Sequence, residues 1–277
     1  MNKPIATIAR TREILNKYDL RAKKGYGQNF ITDVSVVARM ADSTSCQGTA
    51  VEIGPGIGSL TEQLAQRFDR VIAYEIDERL KEVLADTLQE YPNVEIRFGD
   101  FLTQDLDDVI REAGEITVAA NLPYYITTPV LFKLFEYGQK IPDITVMVQK
   151  EVADRFTALP GTKEYSALSV EGQYLYTIKR LFTVPRTSFS PSPNVDSAVV
   201  QFLRRPDTED IPVGEFFAFV RECFKQRRKT LQNNLKDNYG SERSAEILAN
   251  CGFSASVRPQ ELNCGDYVKL YQEVCHD

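Results

Sequence analysis

Between Thr49 and Val148, short apolar runs alternate with helical patterns at a spacing that leaves few folds open. Ala50–Ile53 reads as a buried strand, and Ser59 to Arg67 as the helix after it, with Ser59 placed to cap it and Glu62 three residues on. Val71–Tyr74 is a second strand. Glu78 to Glu90 is a helix that sets Leu80, Val83, Leu84 and Leu88 on one face, and Pro92-Asn93 ends it. Val94–Phe98, Ile116–Ala120 and Ile144–Val148 read as three more strands, with a helix over Thr128–Phe135. Such alternation predicts an α/β fold: a mostly parallel, doubly wound sheet with helices on both faces.

Beyond Lys150 the pattern loosens. Glu151–Ala158 and Ser166–Tyr174 read as helices, Ile178–Val184 and Ser197–Leu203 as strands. The acidic, proline-flanked stretch Pro206–Pro212 has linker composition, and from Val213 onward the chain reads as all-helical, with Phe216, Phe217, Phe219, Val220 and Phe224 as its core face. At 277 residues the chain is long enough for a large domain and a smaller one. The expected division is a basic arm over 1–24, an α/β domain over 25–205 and a helical domain over 206–277.

Several function classes are disfavoured at once. No apolar run approaches the roughly 18 residues of a membrane span, and Met1–Arg12 lacks the apolar centre of a signal peptide. The five cysteines (Cys46, Cys223, Cys251, Cys264, Cys275) are odd in number and widely spaced, which predicts reduced thiols and a cytoplasmic setting. Cys264, Cys275 and His276 lack the paired spacing of a zinc site, so no metal is expected. His276 is the single histidine, next to the last residue. Ser-His-Asp, Cys-His and His-metal chemistry are therefore disfavoured, and whatever the protein does it does without imidazole.

The chemistry-bearing residues fall at strand ends. Glu52-Ile53-Gly54-Pro55-Gly56-Ile57-Gly58 joins the first strand to a helix, and its glycines let backbone approach a ligand closely. The spacing Gly-x-Gly-x-Gly differs from the dinucleotide fingerprint, and no Gly-Lys-Ser/Thr follows, so a nucleoside without pyrophosphate is favoured. Glu75 ends the second strand, where an acid can accept from both ribose hydroxyls. Asp100, after the third strand, lies on the same rim and is placed to accept from an adenine amino group; taken alone it is also a common turn residue. Asn121-Leu122-Pro123-Tyr124 closes the fourth strand with an amide, a carbonyl freed by the missing proline N–H, and an aromatic face. Those groups can hold a flat, amino-bearing base. Alone, the tetrad is equally a strand exit with a turn proline.

Net charge is −6, yet cations cluster at two places. Arg10, Arg12, Lys17, Arg21, Lys23 and Lys24 form a basic arm. Arg221, Lys225, Arg227, Arg228, Lys229 and Lys236 form a second run, while acids concentrate in 75–115 and 205–215. Either run alone reads as a solvated face; two of them suggest a nucleic-acid surface. A sequence pI ≈ 5.1 means that such binding must rely on local patches.

Gly54-x-Gly56, Glu75, Asp100 and Asn121-Leu122-Pro123-Tyr124 together resemble the S-adenosylmethionine-dependent methyltransferases of the Rossmann-like class. Three further segments narrow the resemblance: Gly27–Ile31, Phe189–Ser197 and Gln226–Leu231. With these, nearly the whole chain from about Lys23 resembles the ribosomal small-subunit RNA adenine N6,N6-dimethyltransferases of the bacterial KsgA type. The resemblance implies a cofactor site of Asn29, Ile31, Gly54, Gly56, Glu75, Asp100 and Asn121, with Asn29 and Ile31 closing it. It implies a catalytic site of Asn121, Leu122, Pro123 and Tyr124, the target adenine flipped out and stacked on Tyr124, with Phe189 as the other face. Arg221, Lys225, Arg227, Arg228 and Lys229 would bind RNA, Tyr125 would be a packing position, and a monomer would act on 16S rRNA within the small subunit. Two alternatives stay open at this point: the antibiotic-resistance type that modifies large-subunit RNA, whose tetrad usually carries Ile in place of Leu, and a noncatalytic assembly factor on the same fold.

Overall fold

The first element is a helix, α1 (Ile8–Lys17), followed by a two-residue strand, β1 (Phe30–Ile31). The computed structural model describes residues 3–20, 29–45, 48–206, 208 and 211–275. Arg21, Lys23 and Lys24 of the basic arm, Gly27 and Gln28, Cys46 and His276 lie outside the described residues. α2 (Val34–Ser43) leads into β2 (Thr49–Ile53), α3 (Ser59–Ala65), β3 (Arg70–Glu75), α4 (Lys81–Thr87) and β4 (Val94–Phe98). Next come α5 (Asp107–Ala113), β5 (Thr117–Asn121), α6 (Thr127–Glu136), β6 (Asp143–Gln149), α7 (Lys150–Phe156) and α8 (Ala167–Leu175). β7 (Tyr176–Val184), β8 (Phe189–Ser190) and β9 (Ser197–Arg204) precede four helices: α9 (Val213–Cys223), α10 (Leu231–Tyr239), α11 (Ser241–Asn250) and α12 (Cys264–Cys275).

Seven strands form one sheet in the order β4-β3-β2-β5-β6-β9-β7. The pairs β3–β4, β2–β3, β2–β5 and β5–β6 are parallel; β9 lies antiparallel on β6, with Ser197 opposite Gln149. This is the mostly parallel, doubly wound fold expected from the alternation. The central strands are almost wholly buried, as strands covered on both faces must be. Edge strand β4 is only half-buried along its length, and Glu95 there accepts from Arg97 at 2.6 Å and Arg70 at 2.7 Å, so charge guards the open edge.

The chain runs outward from β2 through β3 to β4, then crosses back to place β5 on the other side of β2. Loops leaving the carboxyl ends of β2 and β5 therefore diverge, which opens a crevice there. The ladder carries three residues just past their strand ends. Gly54 N–H donates to the Tyr74 carbonyl (2.9 Å), Gly99 N–H to Glu75 (2.8 Å) and Leu122 N–H to Met147 (3.1 Å). The glycine loop, the Asp100 turn and the tetrad thus leave the sheet on one rim, each from a fixed starting point.

By contacts the chain divides into two units, one of Met1–Ala153 with Lys179–Arg204, the other of Asp154–Ile178 with Arg205–Asp277. The sequence pattern groups 154–178 with the α/β domain; by contacts this segment goes with the C-terminal helices instead. The cause is aromatic packing across a long sequence gap: Tyr174 on α8 lies 4.6 Å, centroid to centroid, from Phe216 on α9, and Phe216 in turn 5.6 Å from Tyr271 on α12. Phe216, Phe217, Phe219 and Val220 are buried as expected, while Phe224 is half-buried and stacks on Tyr267. In the first unit one apolar cluster seats α2 and α3 against the sheet through Met40, Leu60, Leu64 and Val71, and another joins α1 and α4 to Phe30 and Ile57.

One local expectation fails. Ser59 does not cap α3: Gly58 occupies that place at φ +94°, and the buried Ser59 hydroxyl has no hydrogen-bond partner. A Cβ at residue 58 would crowd Leu88 at 3.1 Å, and the positive φ would strain any residue with a side chain, so glycine suits this place. Glu62, free of the capping box, instead accepts the Ile5 N–H at 3.0 Å.

Candidate active site

A cleft on that rim gathers every residue expected to bind cofactor or act on substrate: Asn29, Ile31, Gly54, Gly56, Glu75, Asp100, Asn121, Leu122, Pro123, Tyr124 and Phe189. On one wall the loop after β2 turns through positive φ at Gly54 (+70°) and Gly56 (+59°). Glu75, buried at the end of β3, holds this loop: one carboxylate oxygen accepts the Gly56 N–H (3.1 Å) and the other the Asp77 N–H (2.8 Å). Burial raises the Glu75 carboxyl above its ordinary range, against the lowering pull of those amides. Its remaining lone pairs suit a pair of hydroxyls.

Asp100 caps the turn Phe101–Thr103 by accepting the Leu102 N–H at 2.9 Å, so the turn role and the cleft position coexist. Lys133 on α6 fastens the same turn, donating to the carbonyls of Leu102 (2.8 Å) and Gln104.

Glu52 joins the candidate site although the sequence marks it only as the acid that opens the glycine loop. It lies on β2, is 1% exposed, lines the cleft and keeps Oε2 without a partner. Burial pushes its carboxyl up to about 8, so it is largely protonated at neutral pH. The signal was there to read: an acid inside an otherwise apolar strand, immediately before a glycine loop.

The opposite wall is the tetrad. Asn121 ends β5 and the buried Leu122 follows it. Among the described residues, neither the Asn121 side-chain amide nor the Leu122 carbonyl has a hydrogen-bond partner. A Cβ on Gly54 would lie 3.9 Å from Pro123, so the two walls nearly touch. Tyr124 is half-buried, and its hydroxyl meets that of Ser197 on β9 at 2.8 Å. Burial raises its phenol, so it is no base at neutral pH. Tyr125 corrects an expectation: it is 54% exposed and lines the cleft, so it is not an interior packing residue.

A two-stranded antiparallel ribbon closes the cleft, pairing Phe30 with Ser190 and Ile31 with Phe189. Its register sets Ile31 opposite Phe189, Asn29 lines the cleft just before the ribbon, and Asp33, the cap of α2, accepts from Ser188 at 3.3 Å to extend the tie.

The lining bears the carboxyl groups of Glu52, Glu75 and Asp100 and, among the described residues, no lysine or arginine. Such a surface offers phosphate no counter-charge and suits a cation carrying hydroxyls and an amine. S-Adenosylmethionine meets that description through its sulfonium, ammonium, ribose and adenine. The glycine loop leaves room for close approach, and apolar Ile57, Ile76 and Phe101 offer contact to a flat ring.

The second unit carries the other candidate residues, and they are not equivalent. Arg221 Nε donates to buried Glu171 at 2.8 Å, and burial lifts the Glu171 carboxyl to about 7 despite that partner. Lys225 lies 3.4 Å from Glu222 and 3.9 Å from Asp237, and Arg227 donates to the Thr162 carbonyl at 3.0 Å. Arg228 and Lys229 are exposed in the turn after α9, with no ion pair among the described residues. Cys223, Cys251, Cys264 and Cys275 are free thiols. No helix among the described residues is long and apolar enough to cross a membrane.

Comparison with known proteins agrees with this geometry. The family model for ribosomal RNA adenine dimethylase matches residues 19–274. Ribosomal RNA small subunit methyltransferase A of Bacillus cytotoxicus is 45% identical, covering 97% of this chain and 96% of the relative, and the Bacillus mycoides protein of the same name matches equally well. A solved dimethyladenosine transferase from Plasmodium falciparum superposes with a TM-score of 0.76 at 25% identity, covering 88% of this chain and 95% of that one. The 23S rRNA methyltransferase ErmE gives 0.68 at 27%, covering 89% of this chain and 100% of that one. With the matched model spanning both units and the carboxyl-lined cleft intact, the chain belongs to the ribosomal RNA adenine dimethylase family of S-adenosylmethionine-dependent methyltransferases.

Proposed function

We propose that this enzyme converts two adjacent adenines near the 3′ end of small-subunit (16S) rRNA to N6,N6-dimethyladenine, as a cytoplasmic monomer acting on the assembling subunit. The observation that carries the reading is the meeting, in one cleft, of an acid-lined glycine-loop wall with an unpartnered amide and carbonyl beside Tyr124. Relatives named for the small subunit are nearer in identity than the 23S rRNA enzyme, and the tetrad here carries Leu122; both favour the small-subunit substrate over the large.

S-Adenosylmethionine supplies a methyl group already activated on a sulfonium. Glu75 would hold its ribose hydroxyls, Asp100 its adenine amine, and Asn29 and Ile31 would cover it. Across the cleft a flipped adenine stacks on Tyr124, with Phe189 as the second face. The N6 lone pair is delocalised into the ring and is a poor nucleophile. The Asn121 side-chain oxygen and the Leu122 carbonyl each accept an N6 proton, which favours a pyramidal nitrogen with its lone pair aimed at the methyl group. N6 would take the methyl group that the bound cofactor supplies, the electron pair of the broken bond would stay with sulfur, and one N6 proton would leave to solvent. Rate comes from orientation and from fixed dipoles matched to the developing positive charge, with no tuned base required. In the second unit, which we take as the subunit-docking region, Arg228 and Lys229 are, of the five expected RNA-binding residues, the two open to phosphate. Arg221, Lys225 and Arg227 have protein partners to give up first.

The test is to incubate the protein with labelled S-adenosylmethionine and either unmethylated small subunits or naked large-subunit RNA. Dimethyladenine should form on the small subunit alone. Label in large-subunit RNA would overturn the substrate; tight subunit binding with no label anywhere would support a noncatalytic assembly factor.

A further inference from the structure

We propose that Ser197 is a positioning residue for the methyl acceptor: it tethers the tip of Tyr124, and the tether matters most for the second of the two methyl transfers. The inference rests on the reading that Tyr124 stacks on the target adenine.

Two torsions set the direction of a tyrosine ring, and the hydroxyl lies at the far end of the lever. The hydroxyl oxygen lies on the axis of the second torsion, so a hydrogen bond there restrains the first, the one that swings the ring from side to side. Tyr124 is only half-buried, so packing alone does not fix it, and its hydroxyl meets the Ser197 hydroxyl at 2.8 Å. Ser197 is itself a fixed point. It is fully buried as the first residue of β9, in register opposite Gln149 at the end of β6. The residue before it, Asp196, is tied twice: its carbonyl accepts the Lys150 N–H and its carboxylate the Arg186 N–H, both at 3.0 Å. The sheet thereby holds the ring from its far end, while the chain through Asn121 and Leu122 holds it from the near end.

The chemistry makes this tether unequal between the two transfers. An unmodified N6 has two protons, one for the Asn121 oxygen and one for the Leu122 carbonyl. The first transfer forms the N6–CH3 bond, leaves the electron pair of the broken S–CH3 bond on sulfur and releases one N6 proton to solvent. The monomethylated amine then has a single proton and can satisfy only one of the two acceptors. Half of the polar alignment is gone, and the stack on Tyr124 takes the larger share in aiming the remaining lone pair. A ring free to swing therefore slows the second transfer more than the first.

The experiment measures N6-monomethyladenine against N6,N6-dimethyladenine on unmethylated small subunits, with cofactor affinity and melting temperature followed in parallel. One lost hydrogen bond of about 0.5–1.5 kcal/mol corresponds to roughly a two- to tenfold rate effect. Ser197→Ala should raise the mono-to-dimethyl ratio by about that factor, with the second rate falling further than the first and cofactor affinity held. Tyr124→Phe removes the same bond from the other side and should shift the ratio alike, and the double variant should be no worse than either single one. Ser197→Thr, which keeps the hydroxyl, should restore the wild-type ratio. Equal loss of both transfers, an unchanged ratio or additive effects would overturn the tether. Should Ser197→Ala melt early, Tyr124→Phe decides the matter alone, since it alters a half-exposed side chain. Tyr124→Ala separates the underlying reading: normal dimethylation would sink the stack itself. Abolished transfer in that variant, with an unchanged ratio in Ser197→Ala, would sink only the tether.

Discussion

The two walls of the cleft are built differently. On the proposed methyl-donor wall, hydrogen bonds already engage the backbone that shapes it, Gly54 on Tyr74, Gly56 and Asp77 on Glu75, Leu102 on Asp100, while Glu52 Oε2 and the Ser59 hydroxyl stay without a partner. Those ties come from strands that follow one another in the chain. On the proposed methyl-acceptor wall the Asn121 amide and the Leu122 carbonyl are left unused among the described residues, and the supports come from far away in sequence: Ser197 for Tyr124, Phe30 and Ile31 for the β8 segment. A cofactor of constant shape can be met by backbone already fixed in place. An amine that changes between its first and second methylation is better met by fixed acceptors that the fold has not spent. Preorganised, unspent hydrogen-bonding capacity is what electrostatic catalysis requires.

The contrast can be broken by substitutions on either side. Tyr124→Ala should have a large effect: loss of a stacking face is worth about 1–3 kcal/mol, or roughly 5- to 150-fold in methyl transfer, with cofactor affinity nearly unchanged in calorimetry. A parallel fall in cofactor affinity would mean that the walls do not act separately. Gly56→Ala attacks the other wall. Its φ of +59° costs a side-chain-bearing residue about 1–2 kcal/mol, and the new Cβ would sit 3.5 Å from the Phe30 ring. Cofactor binding should weaken by roughly fivefold or more, with methylation recovering at saturating cofactor.

Glu52 sharpens the comparison through pH. Its folded carboxyl keeps a proton up to about 8, whereas the unfolded chain releases it near the ordinary value of 4.5. Between those two values the unfolded state binds fewer protons than the folded one, so this group makes stability fall as pH rises. Glu52→Gln mimics the neutral acid and removes that slope. The variant should match wild type in melting temperature near pH 4.5 and exceed it increasingly toward pH 8. A constant difference across that window would show that Glu52 is ionised in the fold. The smallest effect is expected in the second unit. Neutralising Arg228 and Lys229 together should weaken subunit binding modestly and reduce the salt-dependence slope by about 0.7–0.9 per lost phosphate contact, leaving cofactor affinity alone. Arg221→Gln should instead lower the melting temperature, because it strips buried Glu171 of its partner.

What could be read in the sequence follows the same division. Gly54, Glu75, Asp100 and Asn121–Tyr124 stand at the ends of apolar runs, so strand periodicity alone puts them on one rim. Phe189 came from the resemblance, since nothing local marks a residue of a two-residue strand. The Tyr124–Ser197 bond and the β1–β8 ribbon join residues 73 to about 160 positions apart and leave no periodic trace. The Arg221 ion pair was hidden for a similar reason: its partner Glu171 sits on a helix that sequence spacing assigned to the other domain. Ser59 misled because it has cap chemistry one residue too late, where glycine backbone geometry decides.

The most direct test of the central claim is Asn121→Ala assayed on unmethylated small subunits, with S-adenosylmethionine affinity measured on the same protein. Removing one positioned hydrogen-bonding group should cut dimethyladenine formation by about 10²–10³-fold while cofactor affinity changes far less. Near-normal dimethylation, or a loss fully accounted for by weaker cofactor binding, would contradict the division of the cleft into a donor wall and an acceptor wall.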